Sequence, residues 1–595
     1  MKTKFEKIRL FPVIFAWGLI PLIVRMKQYS TGYSQYEWFG NAADQQVDFF
    51  LVYKSYFIIA TAVVMAALLA YMIFSARKKQ VKIEPAVYCL AAYAFLALGS
   101  FAFSEYKYYV SHGAYELFES VWVVLAYLMI CYYAYSVTNS GDDVYFVVKW
   151  SCIGFGALGL IGLSQALYKD FFKTAFGKRL ITPSSFWGNL VQITFSFDEG
   201  TVYATLYNPD WVGFYVGIVL PVLIVMCYWT KKLWAKAVYG ILAVIMLICM
   251  IRAQALGGIV GFLAALAIGI IVLLCRNKKG IIAACGLIIA GFIALVLFLQ
   301  NTATGQMIIQ TFVGTSKGYE NFAIKEIRTT DGDVVFNVNG NNIHISYDVN
   351  GDYASVTCCD DTGTIIETTK SEDGSTTIVS DAETYANCRI TPVYIEDKVC
   401  IQVNIDARDW YFTNQMEDGT YYFYNPLGKF VKIRQLEDAG IFNNDGFQNR
   451  GVIWNHTIPL LKNYIIFGSG ANTFAQVYPQ DDYIYKEYMN MKYMYDVKAH
   501  NWYLQQWVEE GLLALLALLA FYIIYFLQCV KLYRKVSLKD PLACMGFALF
   551  VGINCYMIMA IVNDSNVNTA PVLWVAFGLG YAINRMLRTS KESNM

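Results

Sequence analysis

The sequence predicts an α-helical polytopic membrane protein of about twelve transmembrane helices, carrying a small, mainly-β extracytoplasmic insertion. Three observations carry this. Of 595 residues, 57% are hydrophobic and 15% charged, against about 25% charged in soluble domains, and mean hydropathy is +0.41. The apolar residues fall in long runs joined by short basic loops. The polar residues gather instead in two long segments, Tyr168–Asp210 and Asn301 to about Trp502. With 46 Lys+Arg against 45 Asp+Glu the net charge is +1, so there is no basic excess of the kind nucleic acid requires.

A spanning helix needs about 20 mostly apolar residues. Twelve stretches qualify: Leu10–Val24, Phe49–Ser75, Pro85–Phe103, Glu119–Val137, Val144–Leu167, Trp211–Trp229, Ala235–Ile251, Leu256–Cys275, Ile281–Leu299, Gly511–Val530, Pro541–Val562 and Ala570–Ile583. The first is short and holds Pro12 and Pro21; no small-residue cleavage site follows it, so it reads as a span and not a signal peptide. With twelve spans, the basic loops at Ala76–Lys79, Thr230–Lys232, Arg276–Lys279 and Lys531–Lys535 fall on one side. The termini, with Lys2, Lys4, Lys7, Arg585 and Arg588, fall there too, which predicts cytoplasmic ends in a plasma-membrane protein. The cytoplasmic loops are too short for a nucleotide-binding domain and contain no phosphate-loop motif. The organisation expected is spans one to nine over 1–300, a β-rich extracytoplasmic insertion over 301–440, an extracytoplasmic loop over 441–510 that holds Arg450 and His500, and the last three spans over 511–595.

Within the insertion, Val334–Val338, Asn342–Tyr347 and Thr364–Thr368 read as strands. Asp331-Gly332, Asn339-Gly340, Asn350-Gly351, Thr362-Gly363, Asp373-Gly374 and Asp418-Gly419 punctuate them. Asn-Gly and Asp-Gly accept the positive φ that tight hairpins require. Four of the fourteen cysteines (Cys358, Cys359, Cys388, Cys400) lie here. Their spacing fits no zinc pattern, and the reading is one structural disulfide or none. No metal site is expected.

Of four histidines, His344 alternates with isoleucines in a strand, His112 sits in a short loop, and His456 lies near the start of an apolar helix. All three read as structural. His500 precedes Asn501-Trp502-Tyr503-Leu504 and, through Glu509-Glu510-Gly511, the tenth span. At helical spacing it shares a face with Tyr503, Leu504 and Trp507. A lone histidine at a membrane boundary is usually interfacial decoration, but this one has company.

The His500-Asn501…Leu504 run leading through Glu509-Glu510-Gly511, the upstream turn Gly468-Ser469-Gly470 with Phe474, and Arg450…Ile453-Trp454 together resemble the O-antigen ligase and polymerase superfamily of bacterial membrane glycosyltransferases. Asn208-Pro209, opening a span that later holds Leu220-Pro221, fits a further element. The resemblance covers most of the chain. Two departures stand out: Ala255-Leu256-Gly257-Gly258 replaces the usual Ser-Arg-Gly, leaving Arg252 as the nearest arginine, and Ile465 stands where a proline is usual.

The resemblance implies a glycan donor on undecaprenyl diphosphate and a glycan, lipid or protein acceptor outside the membrane, with membrane lipid around the carrier. The diphosphate leaving group calls for fixed positive charge, which arginine's planar fork supplies. Arg450 is the first candidate, then Arg252, with Arg179 and Lys178 in the other outer loop. An imidazole, whose unperturbed pKa is about 6.5, can take a proton near neutral pH, and His500 is the candidate general base that takes the acceptor's proton. Asn208, Trp211, Asn501 and Tyr503 are candidates for substrate contact, weighed against helix capping and interfacial anchoring. Direct attack on the anomeric carbon predicts inversion, and the diphosphate bond supplies the driving force without cofactor, ATP or metal. Polymerisation of repeat units shares the same motifs. A transporter or flippase is the alternative from another class, and the absence of mid-span Asp or Glu argues against ion coupling. A receptor using the β domain ranks last, because twelve spans exceed the needs of an anchor.

Overall fold

The computed structural model describes residues 7–40, 43–75, 84–314, 321–350, 353–372, 374–379 and 382–592. The predicted loop Ala76–Lys79, Lys2, Lys4, Gly351 and Asp373 lie outside them. Among the described residues, ten helices are long and apolar enough to cross a membrane, which makes this a multi-pass membrane protein. They are α2 (Val52–Ser75), α3 (Ala86–Phe103), α5 (Gly141–Ala166), α6 (Pro209–Trp229), α7 (Leu233–Arg252), α8 (Leu256–Leu274), α9 (Lys278–Asn301), α12 (Leu512–Tyr533), α13 (Pro541–Met559) and α14 (Ala570–Glu592).

The other two predicted spans form shorter helices, α1 (Phe11–Leu22) and α4 (Val121–Val137). In α1, Pro12 and Pro21 withhold backbone donors, so one α-helical turn passes into a π-helical stretch and then a 3-10 turn. Helix α4 starts only after Ser120, whose backbone is extended, and has 17 residues.

Caps fix several starts. Asn208 caps α6 by accepting from Asp210 N at 2.8 Å, with Pro209 as first helical residue. Ser140 caps α5 and Asn277 caps α9 in the same way. Helices α6, α13 and α14 form the buried centre and α9 lies almost wholly exposed. Bulky apolar residues such as Phe74, Phe95, Leu263 and Ile282 face outward, as lipid-facing positions require.

The described residues of the loops 23–51, 104–120, 167–208 and 560–569 and of the long segment between α9 and α12 gather at one end. Arg25 N bonds the Phe49 carbonyl at 2.7 Å, Met26 N that of Ile181 at 2.8 Å, and Ala114 N the Asn472 side chain at 3.1 Å. The opposite end collects basic side chains, several of them satisfied there. Lys7 and Arg9 meet Asp143 at 2.7 and 3.1 Å, Arg588 meets Glu84 at 3.0 Å, and Arg585 donates to the Thr138 carbonyl at 2.8 Å.

The segment between α9 and α12 carries two antiparallel sheets over one apolar core. Four strands, Ile324–Thr329, Val334–Val338, Asn341–Asn350 and Tyr353–Cys359, pair in sequence order. The seven-stranded sheet runs from Thr368–Lys370 at one edge to Phe430–Val431 at the other, with Lys398–Ile405 central. Asn339-Gly340, with φ of +50° and +89°, closes the hairpin pairing Val338 with Asn341. Glu396-Asp397 and Asp406-Ala407 make equivalent turns with no glycine. Of the predicted strand Thr364–Thr368, only Thr368 lies in one. Asp360 instead accepts from the Thr362 and Thr364 amides at 2.9 and 3.0 Å and turns the chain. All fourteen cysteines are free.

Candidate active site at the loop-rich end of the bundle

Four segments far apart in sequence converge here. They are the start of α6, the start of α10 (Gly446–Thr457), the residues preceding α11 (Trp502–Glu510), and the α13–α14 loop. That loop contains Asn563-Asp564-Ser565-Asn566-Val567-Asn568-Thr569, and all seven of these residues are buried. Trp502 N donates to the carbonyls of Ala560 and Asn563, both at 2.9 Å, and so fastens α11 to the loop.

His500 Nδ1 lies 3.2 Å from Asp564 Oδ2, with the histidine side chain 30% exposed and the aspartate 3%. Among the described residues, Asp564 Oδ1 finds no hydrogen-bond partner. Burial alone would raise this carboxyl, but His500, Lys498 and Arg450 around it hold it below the ordinary carboxylate value. Arg450 donates to the Val562 carbonyl and sits 3.5 Å from Asp210 Oδ2. Lys498 Nζ lies 3.5 Å from Glu116 Oε2 and 5.5 Å above the ring of Trp211. One buried carboxylate is therefore ringed by three basic side chains, and two more carboxylates flank the ring.

The backbone is held in costly conformations here. Phe447, Gln448 and Asn449, immediately before Arg450, all have left-handed φ of +53°, +61° and +65°, and His500 has φ +50°. Each such residue costs about 1–2 kcal/mol, and strain of this kind concentrates at functional sites. His500 is thus not on a helical face with Tyr503, Leu504 and Trp507 as expected. Asn501 caps α11 by accepting from Leu504 N at 3.0 Å, so the helix begins one residue later and His500 turns away before it.

The Gly-x-Gly turn and the Glu-x-Gly segment are interlocked. Ser469 N donates to the Val508 carbonyl at 2.9 Å and Gly470 N to that of Glu509 at 2.8 Å. A Cβ on Gly468 would lie 2.2 Å from the Glu509 carbonyl. Glu509 accepts from Phe474 N at 3.3 Å and from Gln505 Nε2 at 3.2 Å, bracing the turn. Gly511, at φ +96°, breaks the chain between α11 and the span α12.

The predicted residues divide in two. Arg450, His500 and Trp211 meet in the cluster. Asn208 and Asn501 flank it as helix caps, and the Tyr503 hydroxyl donates to the Met557 carbonyl at 2.5 Å. Arg252 lies apart, its guanidinium 5.2 Å over Tyr168 and pressed against Gly200. Arg179 is exposed, 5.8 Å over Trp187. The three remaining histidines are pinned: His112 by Ser111 Oγ and the Tyr108 carbonyl at 2.9 and 3.1 Å, His344 between Asp333 and Asp361 at 2.7 and 3.1 Å, and His456, two residues before the apolar 3-10 turn Ile458–Asn463, between the Glu437 carbonyl and Asp482 at 3.1 and 3.2 Å.

Sequence reasoning passed over Lys498, Glu116 and Asp564. A signal for Asp564 existed, since Asn563–Thr569, seven residues of which six are polar, is longer than a turn between two apolar spans needs.

Fold and cluster together define a multi-pass membrane protein with a charged, carboxylate-centred site at one end of its helices. Residues 416–519 match the O-antigen ligase family model, and the match supports the O-antigen ligase superfamily. The matched stretch contains Arg450, the Gly468–Gly470 turn, Lys498 and His500, while Asp210 and Asp564 reach the site from outside it. No curated protein and no solved structure matches the chain.

Proposed function

We propose that the protein is a membrane glycosyltransferase of the O-antigen ligase type. It moves a glycan from undecaprenyl diphosphate to an acceptor hydroxyl on the outer side of the plasma membrane. The observation that carries this reading is the pairing of His500 with the buried Asp564 beside Arg450 and Lys498. It joins a general base to fixed positive charge within one cluster. The sidedness rests on the basic loops at the opposite end of the bundle.

With Asp564 Oδ2 3.2 Å from His500 Nδ1, the carboxylate favours the tautomer that carries its proton on Nδ1, which leaves Nε2 free to take the acceptor's proton. The acceptor oxygen then bonds to the anomeric carbon from the face opposite the diphosphate, the anomeric C–O bond breaks, and its electron pair stays on the departing phosphate oxygen. Configuration inverts. Arg450 and Lys498 offset the negative charge gathering on that diphosphate. Asp210 and Glu116 hold these two cations when the site is empty, and the diphosphate competes for them on binding.

The test is release of undecaprenyl diphosphate from lipid-linked glycan extracted from native membrane, with products sized on a gel. Release by wild type that His500→Ala loses supports the reading. A ladder of products indicates polymerisation and a single shift indicates ligation. Equal release by the variant, or none by wild type with several acceptors, overturns it.

A further inference from the structure

The β-rich segment has no part in the mechanism above, yet it is tied to the bundle's first loop. Lys429 Nζ donates to the Ser34 and Tyr36 carbonyls at 2.9 and 2.8 Å, and Asn425 Nδ2 to that of Glu37 at 3.1 Å. After its last strand the chain crosses without regular structure to α10, and a cavity opens on either side of the crossing, of about 610 and 480 Å³. Arg434, Gln435, Leu436, His456 and Asp481 line both. The two cavities are halves of one groove, and each is within the roughly 300–1,000 Å³ that bound ligands occupy.

One half runs to the four-stranded sheet at Lys325 and Asn337. The other ends at Trp38 and Tyr36, whose rings stack with centroids 5.1 Å apart and planes 12° off parallel. Arg434 and Lys462 supply donors, Glu437 and Asp481 acceptors, and Gln435 both. Cations and carboxylates alternate, so the groove favours neither a polyanion nor a polycation. A sugar chain has the complementary chemistry: hydroxyls that donate and accept around each ring, and apolar C–H faces that lie flat on an indole or phenol.

Helix α10 links this groove to the cluster. Arg450 stands near its start and His456, in the groove wall, six residues on, a rise of about 9 Å. A glycan reacting at one end of α10 has its remaining rings within reach of the other.

We propose that this groove, built by the β-rich segment and the first loop, is a glycan-binding site that holds the non-reacting length of the acceptor or product chain. The inference rests on the transferase reading and assigns the insertion a role within it.

The probe is a set of fluorescently labelled oligosaccharides released by mild acid from the lipid-linked pool of the native membrane. Binding is titrated to full-length protein in detergent for wild type, Trp38→Ala, Arg434→Ala and His500→Ala. Saturable binding by wild type, weakened about tenfold or more by each groove substitution and unchanged in His500→Ala, is expected. Trp38 packs against Tyr33 and Phe39, so Trp38→Ala also perturbs packing; Arg434 is exposed and its substitution leaves the fold intact. No binding by wild type, or binding by Arg434→Ala equal to wild type, overturns the proposal. Carrier release measured on the same proteins separates the two readings. Binding without release leaves the groove standing and removes the transferase, whereas release without binding removes the groove alone.

Discussion

Lys54, wholly buried in α2, donates to the side-chain carbonyl of Asn568 in the α13–α14 loop and to the Thr205 carbonyl at 2.5 Å. One ammonium thus ties the loop that carries Asp564 to the segment that leads into Asn208. Lys54 stands in the first turn of α2. Its partners lie 151 and 514 residues away, and no local pattern reports such a pairing.

Lys54→Met keeps the length of the side chain and deletes the tether. Two buried acceptors lose their donor, and the loop gains freedom beneath His500. Misplacement of catalytic groups by about 1 Å costs on the order of 10²-fold in rate. Carrier release at saturating donor is expected to fall by about that factor, while the variant still elutes as a monodisperse species in detergent. Release at the wild-type rate would show that the tether does not position the site.

Asp564→Asn tests the pair itself. The amide keeps the shape but can present its donor to Nδ1, which favours the tautomer that blocks Nε2 as a base. General-base catalysis contributes about 10²–10⁴-fold, so the maximal rate should fall within that range with little change in the donor concentration needed for half-saturation. A variant whose loss lies mainly in donor affinity would reassign Asp564 to organising the cations.

The spans were legible because hydrocarbon leaves a strong, local signature: ten of the twelve expected stretches became membrane-length helices, and the two that did not contain prolines or begin at a polar pair. Hairpins were legible where Asn339-Gly340 supplied the turn and invisible at Glu396-Asp397 and Asp406-Ala407, where pairing of the flanking strands forces positive φ on residues that do not prefer it. In the site, Arg450 and His500 stood out through their motif. Asp564 did not, because its meaning comes from a tertiary contact 64 residues away in sequence. Arg252 read as a stand-in for a missing arginine, but α7 ends by packing it on Tyr168.

Arg450→Lys separates charge from geometry. Arg450 already uses one nitrogen on the Val562 carbonyl and another toward Asp210. Only a planar fork can hold those contacts and still face phosphate oxygens. Lysine keeps the charge but not the fork, so the expected result is a donor half-saturation raised about tenfold, with Arg450→Ala worse in both rate and affinity. Lysine behaving as wild type would make Arg450 a point charge only.

His456 gives the protein a pH-dependent strut between the β-bearing segment and α10. Burial alone would lower its imidazole pKa, but the hydrogen bond and charge of Asp482, helped by the Glu437 carbonyl, raise it above the ordinary value. A raised folded-state pKa means that the charged form is favoured on folding. Its stabilisation is then complete below about pH 6.5, the value in the unfolded chain, and is lost as pH rises through the folded value. The melting temperature in detergent should therefore decline as pH climbs above about 6.5, and His456→Gln should flatten that part of the curve while lowering stability most at its acidic end. Equal melting temperatures for both proteins across this window would show that Asp482 does not hold the imidazole charged.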